Sequence, residues 1–287
     1  MWRTRLKHSS LFSTAVTERI LVSPGDLLGD GVFETLHVRP SGPWLLEEHL
    51  ARLASSAALL DMPEPPLDEV RAELSRAALA LPDISDLSGE RDAINAMARV
   101  VYTRSGLVHV SVGEIPPAIL RERRDGIRVL TAGLGVSIRE TPPWSITAAK
   151  SLSYASNFAA RRWATRHSAD DVVWLSTEGY ALEAPTASLI WLSDGVIHTV
   201  PPAEARILPG ITAAHLLSVV SSVGLDAKQQ MITAAELADA EAIWLASSVR
   251  GLAEVTSLDG TRRPRSPWTP RLLNLLGFSA ADAQQPR

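Results

Sequence analysis

The chain has 287 residues, of which 46% are hydrophobic and 21% are charged, and its formal net charge is −4. A chain of this length and composition can bury a substantial core without disulfides or a structural metal. Cysteine is absent, which excludes disulfides, thiolate metal sites and cysteine nucleophiles. The mild net charge argues against a dedicated nucleic-acid-binding protein, which usually carries a strongly basic face.

Signals for targeting, membranes and metals are also missing from the sequence. Arg3, Arg5 and Lys7 are not followed by an apolar block, so no secretory signal is expected. No apolar run approaches the roughly 20 residues that a membrane helix needs. No two histidines lie three or four residues apart, so the sequence offers no helical metal pair. We expect a cytoplasmic protein with no membrane segment, no bound metal and no nucleic-acid partner.

The spacing of apolar residues predicts helices and strands in both halves of the chain. A period of three to four residues predicts helices over residues 45–60, 67–81, 152–167 and 211–223. Short runs rich in β-branched residues predict strands over residues 98–102, 107–112, 127–130, 172–175, 189–192, 196–200 and 242–245. Mixed elements of this kind indicate an α/β (α+β) protein. Prolines and charges predict a boundary, with a small α+β domain over residues 1–118, an interdomain linker over 119–126 and a larger domain over 127–287.

One lysine has an unusual setting. Lys150 lies among alanines and other uncharged residues, whereas nearly all other cationic side chains of the sequence are arginines. Such surroundings suit an amine that desolvation keeps partly unprotonated. Lysine can also form an imine with an aldehyde cofactor. The alternative is a lysine that only caps the start of the helix predicted after it.

Three further stretches carry groups that a cofactor needs. Glu183 lies at an otherwise apolar strand end, where a buried carboxylate needs a partner such as a protonated pyridine nitrogen. The run Leu208-Pro209-Gly210-Ile211-Thr212 places a glycine and a hydroxyl at a predicted helix start, which is a natural phosphate seat. Ser247 and Ser248 follow a predicted strand and offer more donors. Each stretch alone also fits an ordinary structural role.

Two motifs precede these stretches. Gly29-Asp30-Gly31-Val32-Phe33-Glu34-Thr35 reads as a tight turn into a strand. Glu48-His49-Leu50-Ala51-Arg52-Leu53 places Arg52 at the edge of an apolar helical stripe. Taken in chain order from about Gly29 to Gly260, all of these motifs resemble the class IV aminotransferase family, the fold-type IV pyridoxal 5′-phosphate (PLP) enzymes. The resemblance implies a small α+β domain, a larger barrel-like domain, PLP as cofactor and a homodimer that acts on a small-molecule amino substrate.

The resemblance also implies a role for each matching residue. Lys150 would hold PLP as an imine and then move protons. Glu183 would pair with the pyridine nitrogen, and Tyr154 would bind the phenolic oxygen or line the pocket. The phosphate would be bound by residues from both halves of the chain: Arg52, Ile211, Thr212 and Ser248, with Ser247 as a neighbour.

The motifs distinguish less sharply between members of the family. The run from Thr103 to His109 lacks the Arg-x-His carboxylate trap of D-amino-acid aminotransferases, and Ser151-Leu152-Ser153-Tyr154 replaces the Gly-Gly-Asn-Tyr of branched-chain enzymes. The compact length and the Lys-Ser-Leu-Ser-Tyr-Ala stretch resemble most the aminodeoxychorismate lyase group of the folate branch, which produces 4-aminobenzoate and pyruvate. The alternatives are an aminotransferase for branched-chain or D-amino acids and a PLP-binding homologue without catalysis.

A carboxylated substrate also needs cationic hosts, because arginine is the usual bidentate partner of a carboxylate. The candidates are Arg99, Arg104 and Arg250. Each of them fits a structural salt bridge equally well.

Overall fold

The computed structural model describes residues 23–79 and 96–278, and these form two compact units. The first unit contains the described part of Met1–Ile115 together with Ala149–Tyr154. The second contains the described part of Pro116–Ala148 and of Ala155–Arg287. The short segment Ala149–Tyr154, which carries Lys150, therefore returns to the first unit although the sequence placed it in the larger domain.

The first unit is a small antiparallel sheet with helices packed on it. Its four strands have the order β2-β1-β3-β4 in the described residues. The strands are β1 (Gly31–Arg39), β2 (Gly42–Pro43), β3 (Ala96–Thr103) and β4 (Val108–Glu114), and the helices are α1 (Pro24–Leu27), α2 (Leu46–Leu59) and α3 (Leu67–Leu79). The predicted helix 45–60 and the predicted hairpin 98–102 and 107–112 are confirmed. The last two residues of the predicted helix 67–81 lie outside the described residues.

The core of the first unit forms where apolar helix faces meet the sheet. Leu50 and Leu53 of α2 and Leu74 of α3 are buried with Leu36 of β1 and Val100 of β3. The spacing of the buried residues on α2 follows the helical period. This packing fixes α2 against β1, and both elements contact Lys150.

The second unit is built on a larger mixed sheet of eleven strands in the described residues. Its strands are β5 (Ile127–Gly133), β6 (Asp171–Leu175), β7 (Tyr180–Ala181), β8 (Glu183–Ala184), β9 (Ala187–Ser193), β10 (Val196–Thr199), β11 (Asp226–Gln229), β12 (Ile232–Thr233), β13 (Ala242–Ser247), β14 (Gly251–Leu258) and β15 (Thr261–Arg262). Its helices are α4 (Pro117–Asp125), α5 (Ala155–Arg166), α6 (Pro202–Ala205), α7 (Ile211–Val219), α8 (Ala234–Asp239) and α9 (Trp268–Leu275). The pairs β5–β6, β5–β14 and β10–β11 are parallel. The expected mixture of strands and helices in two domains is confirmed.

Three predicted segments differ from the structure. The predicted linker 119–126 is helical as far as Asp125, and the helix begins with Pro117, a residue that suits a helix start. The predicted helix 152–167 begins only at Ala155, because Ser151 forms a β-bridge with Val32. The predicted helix 211–223 ends as an α-helix at Val219 and continues as a 3₁₀ turn over Val220–Val223. No helix in the described ranges has the length and hydrophobicity needed to cross a membrane.

Candidate active site

The segment that carries Lys150 is held in place by three backbone hydrogen bonds. The N–H of Lys150 donates to Oγ of Ser56 at 3.0 Å, and the C=O of Lys150 accepts from the N–H of Phe33 at 3.0 Å. The N–H of Leu152 donates to the C=O of Gly31 at 2.8 Å. Lys150 and Leu152 are thus paired with the start of β1, and Ser56 of α2 supplies the third contact. The position of the lysine is fixed by tertiary hydrogen bonds.

Glycines at the start of β1 make room for this segment. A Cβ at Gly31 would lie 2.7 Å from the C=O oxygen of Tyr102 and 2.8 Å from Cδ1 of Leu152. Gly29 has a φ of +88°, and a Cβ there would lie 2.9 Å from Oγ of Ser153. Side chains at either position would displace the segment that carries Lys150. The two glycines of the Gly-Asp-Gly motif are therefore required because no side chain fits at either position, and the positive φ of Gly29 also favours glycine.

Two aromatic rings flank the amine of Lys150. Its Nζ lies 4.6 Å from the ring centroid of Phe33 and 5.7 Å from that of Tyr154. The two rings meet edge to face with their centroids 4.9 Å apart. The Cζ of Arg99 lies 5.9 Å from the centroid of Phe33. The first unit thus places the predicted catalytic lysine, Tyr154 and a guanidinium around one phenyl ring.

The Glu-His-Leu-x-Arg motif forms a buried charge cluster beside this group. Glu34 accepts from Nε and Nη2 of Arg52 at 2.7 and 2.9 Å and contacts Nδ1 of His49 at 2.6 Å. Burial alone would raise the pKa of Glu34, but the charge and hydrogen bonds of Arg52 and then His49 lower it to about 2. The pKa of His49 is lowered by its burial and by the positive charges of Arg52 and Lys150, although Glu34 opposes this. Arg52, the predicted phosphate ligand, is oriented by a carboxylate of its own unit.

In the second unit, strand register brings the predicted cofactor residues towards one serine. Ser188 on β9 pairs with Glu183 on β8 and with Ala246 on β13, the residue before Ser247. A Cβ on Gly210 would overlap Oγ of Ser188, so the turn before α7 also approaches it closely. Oε1 of Glu183 accepts from the N–H of Leu208 at 3.5 Å. Glu183, the start of α7 and the end of β13 are therefore neighbours within this unit.

The start of α7 has the features of an anion seat. The helix begins at Ile211 after Gly210, which provides no side-chain cap. The first N–H groups of an α-helix have no acceptors within the helix, so they are available to a ligand at its N-terminal end. Thr212 is only 2% exposed, and its Oγ1 has no hydrogen-bond partner among the described residues. A buried hydroxyl without a partner is costly, so this atom fits a ligand oxygen better than a purely structural role.

The three predicted substrate arginines have different surroundings. Arg99 is exposed, and its Nε donates to Oγ1 of Thr35 at 3.3 Å. Arg104 forms a double hydrogen bond with Asp30 and also donates to the C=O groups of Leu60 and Asp61. These contacts give Arg104 a structural role, and they anchor the Gly-Asp-Gly turn to the end of α2.

Arg250 also forms salt bridges with protein carboxylates. It is 1% exposed, and its Nη2 lies 3.0 Å from Asp171 and 2.9 Å from Glu122. Arg250 therefore has the structural salt bridge that was its alternative. Of the three arginines, Arg99 is the one that is exposed and lies close to Phe33.

The sequence matches the family model described as amino-transferase class IV over residues 31–258. The chain belongs to the class IV aminotransferase family. A bifunctional aminodeoxychorismate lyase / D-amino acid transaminase of Mycobacterium tuberculosis is 37% identical over 253 residues, which cover 83% of this chain and 85% of that protein. A fold IV-transaminase from Curtobacterium pusillum superimposes with a TM-score of 0.80 at 38% identity and covers 93% of this chain and 90% of its own.

A solved Mycobacterium tuberculosis structure bears on the cofactor of this class IV enzyme. The PLP-bound form of a hypothetical aminotransferase superimposes with a TM-score of 0.82 at 34% identity and covers 92% of this chain and 94% of its own. The same protein has been solved with α-ketoglutarate and PMP bound. Enzymes of the class IV family use PLP, and the expected cofactor is therefore confirmed. The buried hydroxyl of Thr212 at a helix start fits the phosphate of that cofactor.

Two contact residues of this class IV enzyme were missed by sequence reasoning. Ser56 binds the backbone of Lys150, and Ser188 lies between Glu183 and Gly210. Ser56 lies on the apolar stripe of α2, where a buried serine among leucines and alanines was the available signal. Ser188 gave no signal, because strand register cannot be read from a single strand. Among residues 23–79 and 96–278, no group of three or more His, Cys, Asp or Glu is arranged to hold a metal ion.

Proposed function

We propose that this class IV enzyme is a PLP-dependent lyase that converts 4-amino-4-deoxychorismate into 4-aminobenzoate and pyruvate. The observation that carries the proposal is the arrangement of Lys150 and Arg99 around the ring of Phe33. An amine, a guanidinium and a flat apolar surface suit a six-membered ring with a carboxylate. The 37% identical Mycobacterium tuberculosis relative, whose name includes aminodeoxychorismate lyase, supports the same choice.

The proposal gives each predicted cofactor residue a contact with PLP. Lys150 would hold PLP through its aldehyde, and Tyr154, which lies beside the amine, would bind the phenolic oxygen or line the pocket. In the second unit, Glu183 would pair with the pyridine nitrogen and keep it protonated. The phosphate accepts hydrogen bonds from a set that carries only neutral or positive groups: Arg52, Ile211, Thr212, Ser247 and Ser248. When bound, PLP supplies an aldehyde that condenses with amines and a ring that takes up electrons from a broken C–H bond.

The residues of the chain then perform the proton transfers. Nζ of Lys150 would remove the proton from C4 of the substrate. The enolpyruvyl group leaves with its oxygen and becomes pyruvate when its methylene carbon is protonated, and the ring becomes aromatic. Arg99 binds the ring carboxylate and orients C4 towards Nζ. The Phe33 and Tyr154 rings exclude water from this side of the amine.

A second activity, transamination of D-amino acids, is favoured by one observation. The name of the 37% identical relative combines aminodeoxychorismate lyase with D-amino acid transaminase. Both reactions begin with proton removal by the same lysine and differ in where the proton is returned. Branched-chain amino acids are a further substrate class within the family, and a PLP-binding homologue without catalysis is the third alternative. The proposal also includes a homodimer in the cytoplasm that serves folate synthesis.

The test is an assay of purified protein with 4-amino-4-deoxychorismate in which 4-aminobenzoate and pyruvate are followed together. Equal release of both products is expected from the wild type. Lys150→Ala should lose both the activity and the visible absorption band of the imine, whereas the control Lys228→Ala, on an exposed strand, should keep both. Amino transfer from D-alanine or a branched-chain amino acid without any 4-aminobenzoate would overturn the lyase assignment. Bound PLP with neither activity would favour the homologue without catalysis.

A further inference from the structure

Two arginines of the second unit are almost completely buried. Arg123 and Arg250 are each 1% exposed. Burial of a guanidinium is costly unless hydrogen bonds and opposite charges compensate it. Neither arginine has a part in the chemistry proposed above. Their contacts converge on the turn that follows Ser247 and Ser248.

Arg123 binds the carbonyl groups of that turn. Its Nε donates to the C=O of Arg250 at 2.9 Å, and its Nη2 donates to the C=O of Val249 at 2.6 Å. Its Cζ lies 4.3 Å from the ring centroid of Phe278, so the guanidinium is also held from one face. Arg123 lies on α4, which packs on β14, the strand that leaves the turn. The helix α4, which lies where a linker was predicted, thus places the guanidinium of Arg123 against the turn.

The side chain of Arg250 anchors the same turn from a second direction. Its Nη2 contacts Asp171 at 3.0 Å and Glu122 at 2.9 Å. Burial works to lower the pKa of Arg250, but the charges of Asp171 and Glu122 raise it above its usual value. Arg250 is therefore charged in the folded protein. Both the backbone and the side chain of one turn residue are fixed by buried charges.

The turn also has little freedom at its other end. Gly251 pairs with Ser247 across the turn. Its φ is +65°, and a Cβ there would lie 2.8 Å from the ring of Phe278. Phe278 thus contacts both the glycine and Arg123, which makes the turn and its anchor one packed group.

We propose that Arg123 is a positioning residue that orders the Ser248–Arg250 turn for binding the PLP phosphate. The C=O and N–H of a trans peptide point in opposite directions. A guanidinium that holds the Val249 and Arg250 carbonyls therefore also fixes the direction of the following N–H groups. A turn ordered in advance loses less conformational entropy when an anion binds. The inference rests on the proposed role of Ser248 as a phosphate ligand.

The test compares two cofactor forms on the full-length apoprotein. Dissociation constants are measured for PLP and for pyridoxal, which lacks the phosphate. Arg123→Met should weaken PLP binding about tenfold, the size of effect typical when a residue that orients ligands is removed. Pyridoxal affinity should stay within about twofold, because the phosphate contacts alone are disturbed. Arg124→Met is the matched control, since Arg124 is exposed on the same helix and pairs with Asp125.

A merely structural role of Arg123 would weaken both ligands together or neither, and either result overturns the inference. Arg123→Lys keeps the charge but lacks the planar guanidinium that reaches two carbonyls. Its ratio of PLP to pyridoxal affinity should therefore lie between those of the wild type and Arg123→Met. If Arg123→Met does not fold, Phe278→Leu is used in its place. This variant removes the ring that contacts the guanidinium and should also lower the ratio of PLP to pyridoxal affinity. An unchanged ratio in Phe278→Leu as well as Arg123→Lys counts against the inference.

Ser248→Ala separates this inference from the proposed function. A fall in the ratio of PLP to pyridoxal affinity in Ser248→Ala, with none in Arg123→Met, overturns the role of Arg123 and leaves the phosphate site in place. An unchanged ratio in Ser248→Ala overturns the proposed role of that serine and the inference that depends on it. Hydrogen exchange at the Val249 to Gly251 amides should also speed up in Arg123→Met and not in Arg124→Met.

Discussion

Ser56 and Lys150 are joined by a hydrogen bond of 3.0 Å from the lysine N–H to the serine Oγ. Ser56 is buried on α2 together with His49, Leu50, Leu53 and Ala57. A side chain 94 positions earlier in the chain thus holds the backbone of the lysine. The side chain of Lys150, the proposed catalytic residue, therefore projects from a backbone that is held in place.

Removal of this hydroxyl should leave a backbone N–H without its partner. We expect Ser56→Ala to lower the free energy of unfolding by about 1–3 kcal/mol, the usual cost of an unsatisfied buried donor. Urea denaturation measures this difference. Ser55→Ala is the control, because Ser55 is exposed and donates only to Ala51 within the helix. Equal unfolding midpoints for the two variants would contradict the role of Ser56.

Gly31 should tolerate no side chain, because the space for its Cβ is already filled. The C=O of Tyr102 and Cδ1 of Leu152 lie 2.7 and 2.8 Å from that position. Gly31→Ala should therefore push the Lys150 segment away from β1 and cost about 1–3 kcal/mol, as overpacked sites do. It should also lower the amplitude of the imine absorption band at saturating PLP.

Gly113→Ala provides the matched comparison for Gly31→Ala. Gly113 lies in β4 of the same sheet, and nothing lies within 4 Å of its Cβ position. Its substitution should leave both the unfolding free energy and the absorption band close to those of the wild type. The steric explanation of the Gly-Asp-Gly motif fails if the two alanine variants behave alike.

The charge cluster of Glu34 should make stability depend on pH. The pKa of Glu34 is about 2 in the folded protein against an ordinary value of 4.5. The ionised carboxylate thus stabilises the fold fully above pH 4.5, and the contribution is lost as the pH falls towards about 2. At one pKa unit per 1.36 kcal/mol this contribution is about 3 kcal/mol.

Glu34→Gln should therefore be less stable than the wild type at pH 7, and the difference should shrink as the pH approaches 3. Denaturant titrations at a series of pH values measure it. Glu47→Gln serves as the control, because Glu47 is exposed and its partner Arg71 is half-exposed. It should leave the unfolding free energy nearly unchanged. A difference between Glu34→Gln and wild type that is constant across this pH range would show that the charge of Glu34 is not the cause.

Local patterns in the sequence predicted the elements of the fold, but contacts distant in sequence remained hidden. The apolar period of α2 and the β-rich runs around Ser105-Gly106 appear where they were expected. The return of Ala149–Tyr154 to the first unit depends on hydrogen bonds to Gly31, Phe33 and Ser56. No periodicity in the segment itself encodes such partners. The charges of α4 resembled a linker because its buried Arg123 finds its acceptors more than 120 residues away.

The same limit applies to the candidate site. Lys150, Glu183 and Thr212 could be predicted as site residues because each residue type has a specific chemical use in its local sequence context. The roles of Arg104 and Arg250 could not be assigned in that way, since a guanidinium suits a substrate carboxylate and a protein carboxylate equally. The carboxylates of Asp30 and Asp171 that pair with these arginines can be recognised only in three dimensions.

Thr212 offers a test in which a binding role and a structural role have opposite effects. Its buried Oγ1 has no protein partner in the described part of the chain. Thr212→Val should therefore leave the apoprotein as stable as the wild type or more stable, because an unsatisfied buried hydroxyl disappears. PLP binding should weaken by about 1.5–3 kcal/mol, the value of a hydrogen bond to a charged group, which corresponds to roughly ten- to a hundredfold.

Thr269→Val is the matched control for Thr212→Val, because Thr269 is equally buried but satisfied. Its Oγ1 accepts from Nε1 of Trp244 at 2.8 Å and donates to Glu254 at 2.8 Å. This variant should lose about 1–3 kcal/mol of unfolding free energy and keep its preference for PLP over pyridoxal. Thermal unfolding of the apoproteins and titration with both cofactor forms separate the two variants. Should Thr212→Val destabilise the apoprotein as much as Thr269→Val and bind PLP normally, the hydroxyl of Thr212 would be a structural group and the phosphate would have to be bound elsewhere.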